Sequence, residues 1–137
     1  MTTINEKILV IEDDPSFQRY LSFVLEKEGY NVVIASNGLR GLRMAKEEKP
    51  ALIISDVMLP GLDGFEICHR LRLDQSTAHL PVLMLSAKGQ GSDREAALRV
   101  GANEFYSKPV DRLVLLGKIK ELLSGNGVGD NPSQPPG

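Results

Sequence analysis

Five short apolar runs punctuate the chain: "KILVI" (7–11), "NVVIA" (31–35), "ALIIS" (51–55), "PVLML" (81–85) and "EFYS" (104–107). Each has the length of a strand, and between them lie segments whose apolar residues recur every three or four positions. Phe17, Leu21, Val24 and Leu25 follow the first run, Leu39, Leu42, Met44 and Ala45 the second, and Phe65, Ile67, Leu71 and Leu73, less regularly, the third. The first four runs are nearly continuous rather than alternating, which is the pattern of strands covered on both faces. Strand and helix alternating five times predict an α/β domain, a parallel sheet with helices on both sides, because parallel neighbours need a crossover between them.

Local chemistry marks where the helices begin and end. Asp14 before Pro15 reads as a cap followed by a favoured first helical residue. "DGFE" (Asp63 to Glu66) and "SDRE" (Ser92 to Glu95) have the form of capping boxes. Gly29 and Gly101 stand where helices should stop, and a last helix is expected over 110–123 with Leu113, Leu116, Ile119, Leu122 and Leu123 on one face. From Ser124 onward "SGNGVGDNPSQPPG" has almost nothing to bury. Residues 1–123 are therefore expected to form one domain, with 124–137 a flexible tail or the start of a linker.

Composition narrows the function without naming it. The net charge of -2 comes from lysines and arginines scattered among acids, so no electrostatic footprint for nucleic acid stands out and direct nucleic-acid binding is not expected. The longest apolar stretches are far too short to cross a membrane, and "MTTINEK" lacks the apolar core of a signal peptide, so a cytoplasmic location is expected. The single cysteine, Cys68, has no partner for an internal disulfide and reads as a packed helix residue. His69 and His79 read as surface or packing residues.

The polar residues of interest follow strands. Glu12, Asp13 and Asp14 follow the first, Asp56 ends the third, Ser86 follows the fourth and Lys108 the fifth. In a doubly wound sheet these positions share the carboxyl edge, where ligands bind at the reversal of strand order; with the order 2-1-3-4-5 the first and third strands are neighbours, and Glu12 and Asp13 lie beside Asp56. Three carboxylates brought together repel, and a fold tolerates that by raising a pKa or binding a cation. Hard oxygen donors suit Mg2+ or Mn2+. Such an ion could share oxygens with a phosphoryl group faced from the other side by Lys108, with Asp56 as carboxylate nucleophile and Ser86 donating its hydroxyl. Plainer readings stand beside this one. Asp14 reads better as a helix cap than as a ligand, and Glu12, Asp13, Ser86 and Lys108 taken singly could be turn, loop and surface residues.

The motifs "ILVIEDD", "LIISDVMLPGLDG", "VLMLSA" and "GANEFYSKPV" together resemble the receiver domain of a bacterial two-component response regulator over about residues 6–123. The resemblance implies a flavodoxin-like (CheY-like) sheet of five parallel strands, order 2-1-3-4-5, with five helices. It implies phosphorylation of Asp56 by a partner histidine kinase or phosphotransfer protein. Asp13 and Asp56 would bind Mg2+, Met58 would offer it a backbone carbonyl, and Glu12 would act mostly through water. Ser86 takes the switch hydroxyl position, Phe105 (not its neighbour Tyr106) the switch aromatic, and Lys108 that of a lysine whose bond to Pro109 is cis in many relatives. The face of the fourth helix, fifth strand and fifth helix would report the state of Asp56 to an output domain or protein. Met58 and Lys88 occupy positions that tune phosphoryl lifetime. The implied role is a phosphoprotein switch, not an enzyme, with self-catalysed phosphoryl acceptance and slow autodephosphorylation.

Rival readings fit less well. A flavin-binding flavodoxin needs glycines, hydroxyls and free amides after the first strand, where "EDDPS" would repel a phosphate in the absence of a metal. An aspartate-based phosphatase places a second aspartate two residues after the nucleophile, a position held here by Met58. A phosphate-independent docking module of the same fold is the remaining alternative. Glu104 with Lys118 or Lys120 could support a symmetric homodimer through the same face, as in winged-helix regulators.

Overall fold

The computed structural model describes residues 6–87 and 91–125. The elements alternate without exception: β1 (Lys7–Ile11), α1 (Pro15–Lys27), β2 (Asn31–Ala35), α2 (Gly38–Glu47), β3 (Leu52–Asp56), α3 (Gly64–Leu73), β4 (Val82–Ser86), α4 (Gly91–Arg99), β5 (Glu104–Ser107) and α5 (Arg112–Ser124). All strand pairs are parallel, in the order β2-β1-β3-β4-β5. The chain steps outward from β1 to β2, then returns to the far side of β1 for β3. The reversal of direction therefore lies between β1 and β3, as the flavodoxin-like reading requires.

Two apolar layers hold the helices to the sheet. Successive side chains of a strand point to opposite faces. Ile8 and Val10 of β1 accordingly pack with Leu21, Leu25, Leu115 and Ile119 on the α1/α5 side, while Leu9 and Ile11 pack with Met44, Ile67, Cys68 and Leu71 on the other. Every position of β3 and β4 is buried. Each of their apolar side chains contributes about 1.5–3 kcal/mol by leaving water, so the central strands anchor the carboxyl edge. The second run departs from its expected double cover: β2 is an edge strand with Asn31 exposed and Val32 to Ile34 only half-buried.

The helix boundaries follow local signals, with informative exceptions. Asp14 caps α1 by accepting from the Ser16 amide, with Pro15 as first helical residue. Gly29 and Gly101 both have positive φ (96° and 105°) where α1 and α4 end, a region that favours glycine. In "DGFE" only half of the box forms: Asp63 accepts from the Glu66 amide at 2.9 Å, but the Glu66 carboxylate turns to Arg70. The box expected over Ser92–Glu95 does not start its helix, because α4 begins at Gly91; the Ser92 side chain lies outside the described residues. The last helix starts at Arg112 under the cap of Asp111, later than expected, and this turns Leu113 to solvent (70% exposed) while Leu115 joins Ile119 and Leu122 in the core. Leu39 and Leu73 likewise face solvent, while Gly41, Met44 and Ala45 of α2 and Ile67, Cys68 and Leu71 of α3 are buried. Cys68 is a buried, free, packed residue as expected, and His69 and His79 are exposed. Residues 126–137, where most of the expected tail falls, lie outside the described residues, as does Lys88. No helix among the described residues is long and apolar enough to cross a membrane.

Candidate metal centre at the carboxyl edge

Glu12 leaves β1 with its amide still bonded to the Ala35 carbonyl at 3.0 Å, so the backbone of β2 holds it in place. Its side chain is almost fully buried, with Oε2 accepting from the Asp14 amide and Oε1 from Lys108 Nζ, both at 3.0 Å. Asp56 is the last residue of β3 and is 7% exposed. Its Oδ2 accepts from Lys108 Nζ at 3.3 Å, and Oδ1 receives a long bond, 3.4 Å, from the Met58 amide. Asp13 is exposed beside them, and one carboxylate oxygen each from Glu12, Asp13 and Asp56 lies within 4.8 Å of the others. Asp14 is not part of this group; it is spent on the helix cap.

Two backbone features make the approach possible. Gly64 begins α3 and donates to the Val57 carbonyl at 2.9 Å, and a Cβ there would run into the backbone of Asp56 and Val57. The turn "LPGLDG" can therefore fold tightly under the end of β3. On the other side, Lys108 donates its amide to the Ser86 carbonyl at 2.8 Å, and its bond to Pro109 is cis. Ser86 itself is buried, paired in register with Ser107.

Electrostatics make the edge unusual. Three carboxylates against one ammonium leave two negative charges in a small volume. Burial raises the Glu12 pKa above its ordinary value, with the Asp56 charge adding to it, against the opposing bonds from the Asp14 amide and Lys108. For Lys108 burial pulls the other way, but the bond to Glu12 and the charge of Asp56 outweigh it and raise the ammonium pKa. The donors are hard oxygens with positions left open, and the surplus charge is of the sign a cation relieves. Glu12, Asp13 and Asp56 thus fit a divalent hard cation such as Mg2+.

The sequence-expected residues converge: Lys108 bonds both Glu12 and Asp56, Asp13 lies in the same cluster with a carboxylate oxygen within 4.8 Å of theirs, and the Ser86 backbone is tied to Lys108. Phe105 sits apart, 3% exposed in the apolar layer on the α4 side, its carbonyl bonded to Arg94 at 2.8 Å. Met58 is more than half exposed at the mouth of the site. Sequence reasoning missed Phe17, whose ring lies 4.3 Å from Lys108 Nζ. A phenylalanine at helical spacing reads as core, and only the fold brings the two together. It also missed Arg94, which ties α4 to Phe105 and Glu104.

Fold and site together define a CheY-like signalling domain. The chain belongs to the response regulator receiver domain family, whose model matches residues 8–120. It is 43% identical over 117 residues to the DNA-binding dual master transcriptional regulator RpaA of Synechocystis, covering 85% of this chain and 48% of that protein. A putative response regulator from Chloroflexus aurantiacus has a similar structure, with TM-score 0.85 and 35% identity over 88% of this chain and 99% of that one. So has the receiver domain of a Pseudomonas aeruginosa sensor histidine kinase carrying a magnesium ion in its active-site cleft, with TM-score 0.82 and 28% identity over 88% and 99%. The chain spans about half the length of the transcriptional regulators it matches. Receiver domains are signalling domains of two-component systems: they act in general as phosphorylation-activated switches, bind Mg2+ at an acidic pocket, and work with histidine kinases and output domains.

Proposed function

We propose that Asp56 is the phosphoacceptor of this chain and that its modification switches the face formed by α4, β5 and α5. The observation that carries the reading is the bridge of Lys108 Nζ between Glu12 and Asp56, with Asp13 in the same cluster. Glu12, Asp13 and Asp56 would hold the metal, Glu12 mostly through water, with the Met58 carbonyl as a further donor. When bound, the cation neutralises the surplus charge and polarises phosphoryl oxygens. The Asp56 carboxylate attacks phosphorus as the bond to the donor's leaving group breaks, the leaving group departing with the electron pair. Lys108 then donates to a phosphoryl oxygen in place of the free Asp56 carboxylate, while Glu12 remains its other partner.

Signal transfer follows from where Ser86 and Phe105 stand. The Ser86 hydroxyl turning toward the phosphoryl group draws the start of the loop to α4, and Phe105 moves with it. Arg94, bonded to the Phe105 carbonyl and to Glu104, gives that motion a handle on α4. No acid stands two residues after Asp56, so the phosphoryl group is lost slowly and the chain is a switch and not a phosphatase. On this reading it works in the cytoplasm with a histidine kinase or phosphotransfer protein as donor and an output domain or protein as target. A homodimer through the same face has to compete with pairs made within the chain, since Glu104 already meets Arg94 at 3.0 Å and Lys118 at 3.7 Å. Sedimentation before and after phosphorylation decides it: one unchanged monomeric species removes the dimer.

The test is intact mass after incubation with acetyl phosphate, with and without Mg2+, beside Asp56→Asn. The expected result is one added phosphoryl group that requires Mg2+ and is absent from the variant. No addition to the unaltered chain under any condition would leave the phosphate-independent docking module as the better reading.

A further inference from the structure

We infer that Phe17 is a positioning residue for Lys108, so that the rate of phosphoryl acceptance depends on an aromatic face at position 17. The inference rests on the reading of Asp56 as phosphoacceptor. Phe17 lies in the first turn of α1, fixed at one end by the Asp14 cap and Pro15, and packed against Tyr20 with ring centroids 5.6 Å apart. Its ring is therefore held, and Lys108 Nζ lies 4.3 Å from its centroid. The other such contact among the described residues, Lys27 with Phe23, is longer at 5.3 Å and has a ring 61% exposed. Lys108 is only 16% exposed, and attraction between a cation and a ring strengthens as water is removed.

A lysine ammonium is a point charge on a flexible four-carbon stem. Two anchors, Glu12 Oε1 at 3.0 Å and Asp56 Oδ2 at 3.3 Å, leave it an arc of positions and favour the shorter bond to Glu12. A third anchor fixes a point. The ring also differs in kind from the other two. Its attraction involves neither carboxylate, so it does not change when the Asp56 oxygen becomes phosphorylated. The ammonium then stays where a phosphoryl oxygen meets it, and its freedom is restricted before the reaction starts.

The experiment compares Phe17→Leu and Phe17→Trp with the unaltered chain in Mg2+ and acetyl phosphate, each also in a Lys108→Gln background. Leu fills apolar space without a π face, and Trp presents a stronger one. We expect Phe17→Leu to slow phosphoryl acceptance about five-fold, Phe17→Trp to match or exceed the parent, and the substitutions to have no effect once Lys108 is Gln. Proton NMR supplies a readout that does not need phosphorylation: the Lys108 methylene protons beside Nζ should resonate upfield through the ring current and lose that shift in Phe17→Leu. Equal rates for Leu and Phe, or a slowing that persists without Lys108, would overturn the inference while leaving Asp56 as acceptor. An unaltered chain that takes no phosphoryl group at all would instead remove the reading on which it rests.

Discussion

At the amino edge of the sheet Arg72 gives five hydrogen bonds to the Ala78, Leu80 and Gly101 carbonyls and to Asn103 Oδ1, whereas at the carboxyl edge three carboxylates share one ammonium. Around Arg72 the pairs are also complete. Lys7 meets Glu48 at 2.9 Å, Lys46 meets Asp74 at 2.9 Å, and Asn103 exchanges bonds with Val82 at 2.8 and 2.9 Å. The same strands run between both edges, so the difference lies in the loop residues at their two ends. Charge satisfied within the chain ties loops together and adds stability; charge left in surplus costs stability and invites something from outside. The carboxyl edge is where a ligand has energy to release on binding.

The largest effect that tests this contrast is expected at Arg72. Arg72→Met keeps the apolar stem but leaves the Gly101 carbonyl, which receives two of the five bonds, and the Leu80 carbonyl short of donors. The loss is expected to be about 3 kcal/mol of unfolding free energy by denaturant titration, with Mg2+-dependent phosphorylation of the folded protein unchanged. An equal loss of phosphorylation rate in the folded variant would show that the two edges are not independent.

The opposite sign is expected at Glu12. Its folded-state pKa is raised, mainly by burial, so its contribution to stability is present below the ordinary glutamate range and is lost as pH rises through the folded value. Glu12→Gln should therefore be more stable than the parent at pH 7, and the gap should close below about pH 4, where the Glu12 carboxyl is neutral like the amide that replaces it. Added Mg2+ should raise the melting temperature of the parent more than that of the variant, because binding to the folded state alone adds stability. A variant less stable than the parent at pH 7 without Mg2+ would mean that the Lys108 pair outweighs the burial cost, and the surplus-charge account of this edge would fail.

Much of the carboxyl edge was legible in the sequence because its residues stand at strand ends, and strand ends of a parallel sheet converge whatever the helices do. Glu12, Asp56 and Lys108 needed only the strand order to become neighbours. The helix faces were less legible. Leu113 and Leu115 are both leucines near the start of α5, and which one enters the core is decided by whether Asp111 or an earlier residue caps the helix, a difference of a fraction of a turn. The amino edge was not legible at all. Arg72 reads as a surface arginine in "RLRLD", and its partners are mostly backbone carbonyls, which every residue carries and no motif marks. Phe17 escaped for a related reason: a ring offers no polar group to announce that a cation will lie on it.

The smallest effect should come from Asp74, and its size is what sharpens the comparison. The Lys46 ammonium at 2.9 Å, then the amide and hydroxyl of Ser76 at 2.9 and 2.8 Å, hold the Asp74 pKa down from 3.8 to about 2. Its stabilising contribution is present above the unfolded value and lost as pH falls from about 4 toward 2, the reverse of Glu12. Melting temperatures of Asp74→Asn and parent should differ slightly at pH 6, with the parent higher, and converge only as the pH falls to about 2. Because the pair is exposed, high salt should remove part of the gap as well. The two carboxylates are thus opposite cases on one sheet: lowering the pH strips support from the edge that is already satisfied and relieves the edge that is not. If Asp74→Asn and Glu12→Gln instead shifted with pH in the same direction, net charge and not local pairing would govern both edges, and the distinction between them would collapse.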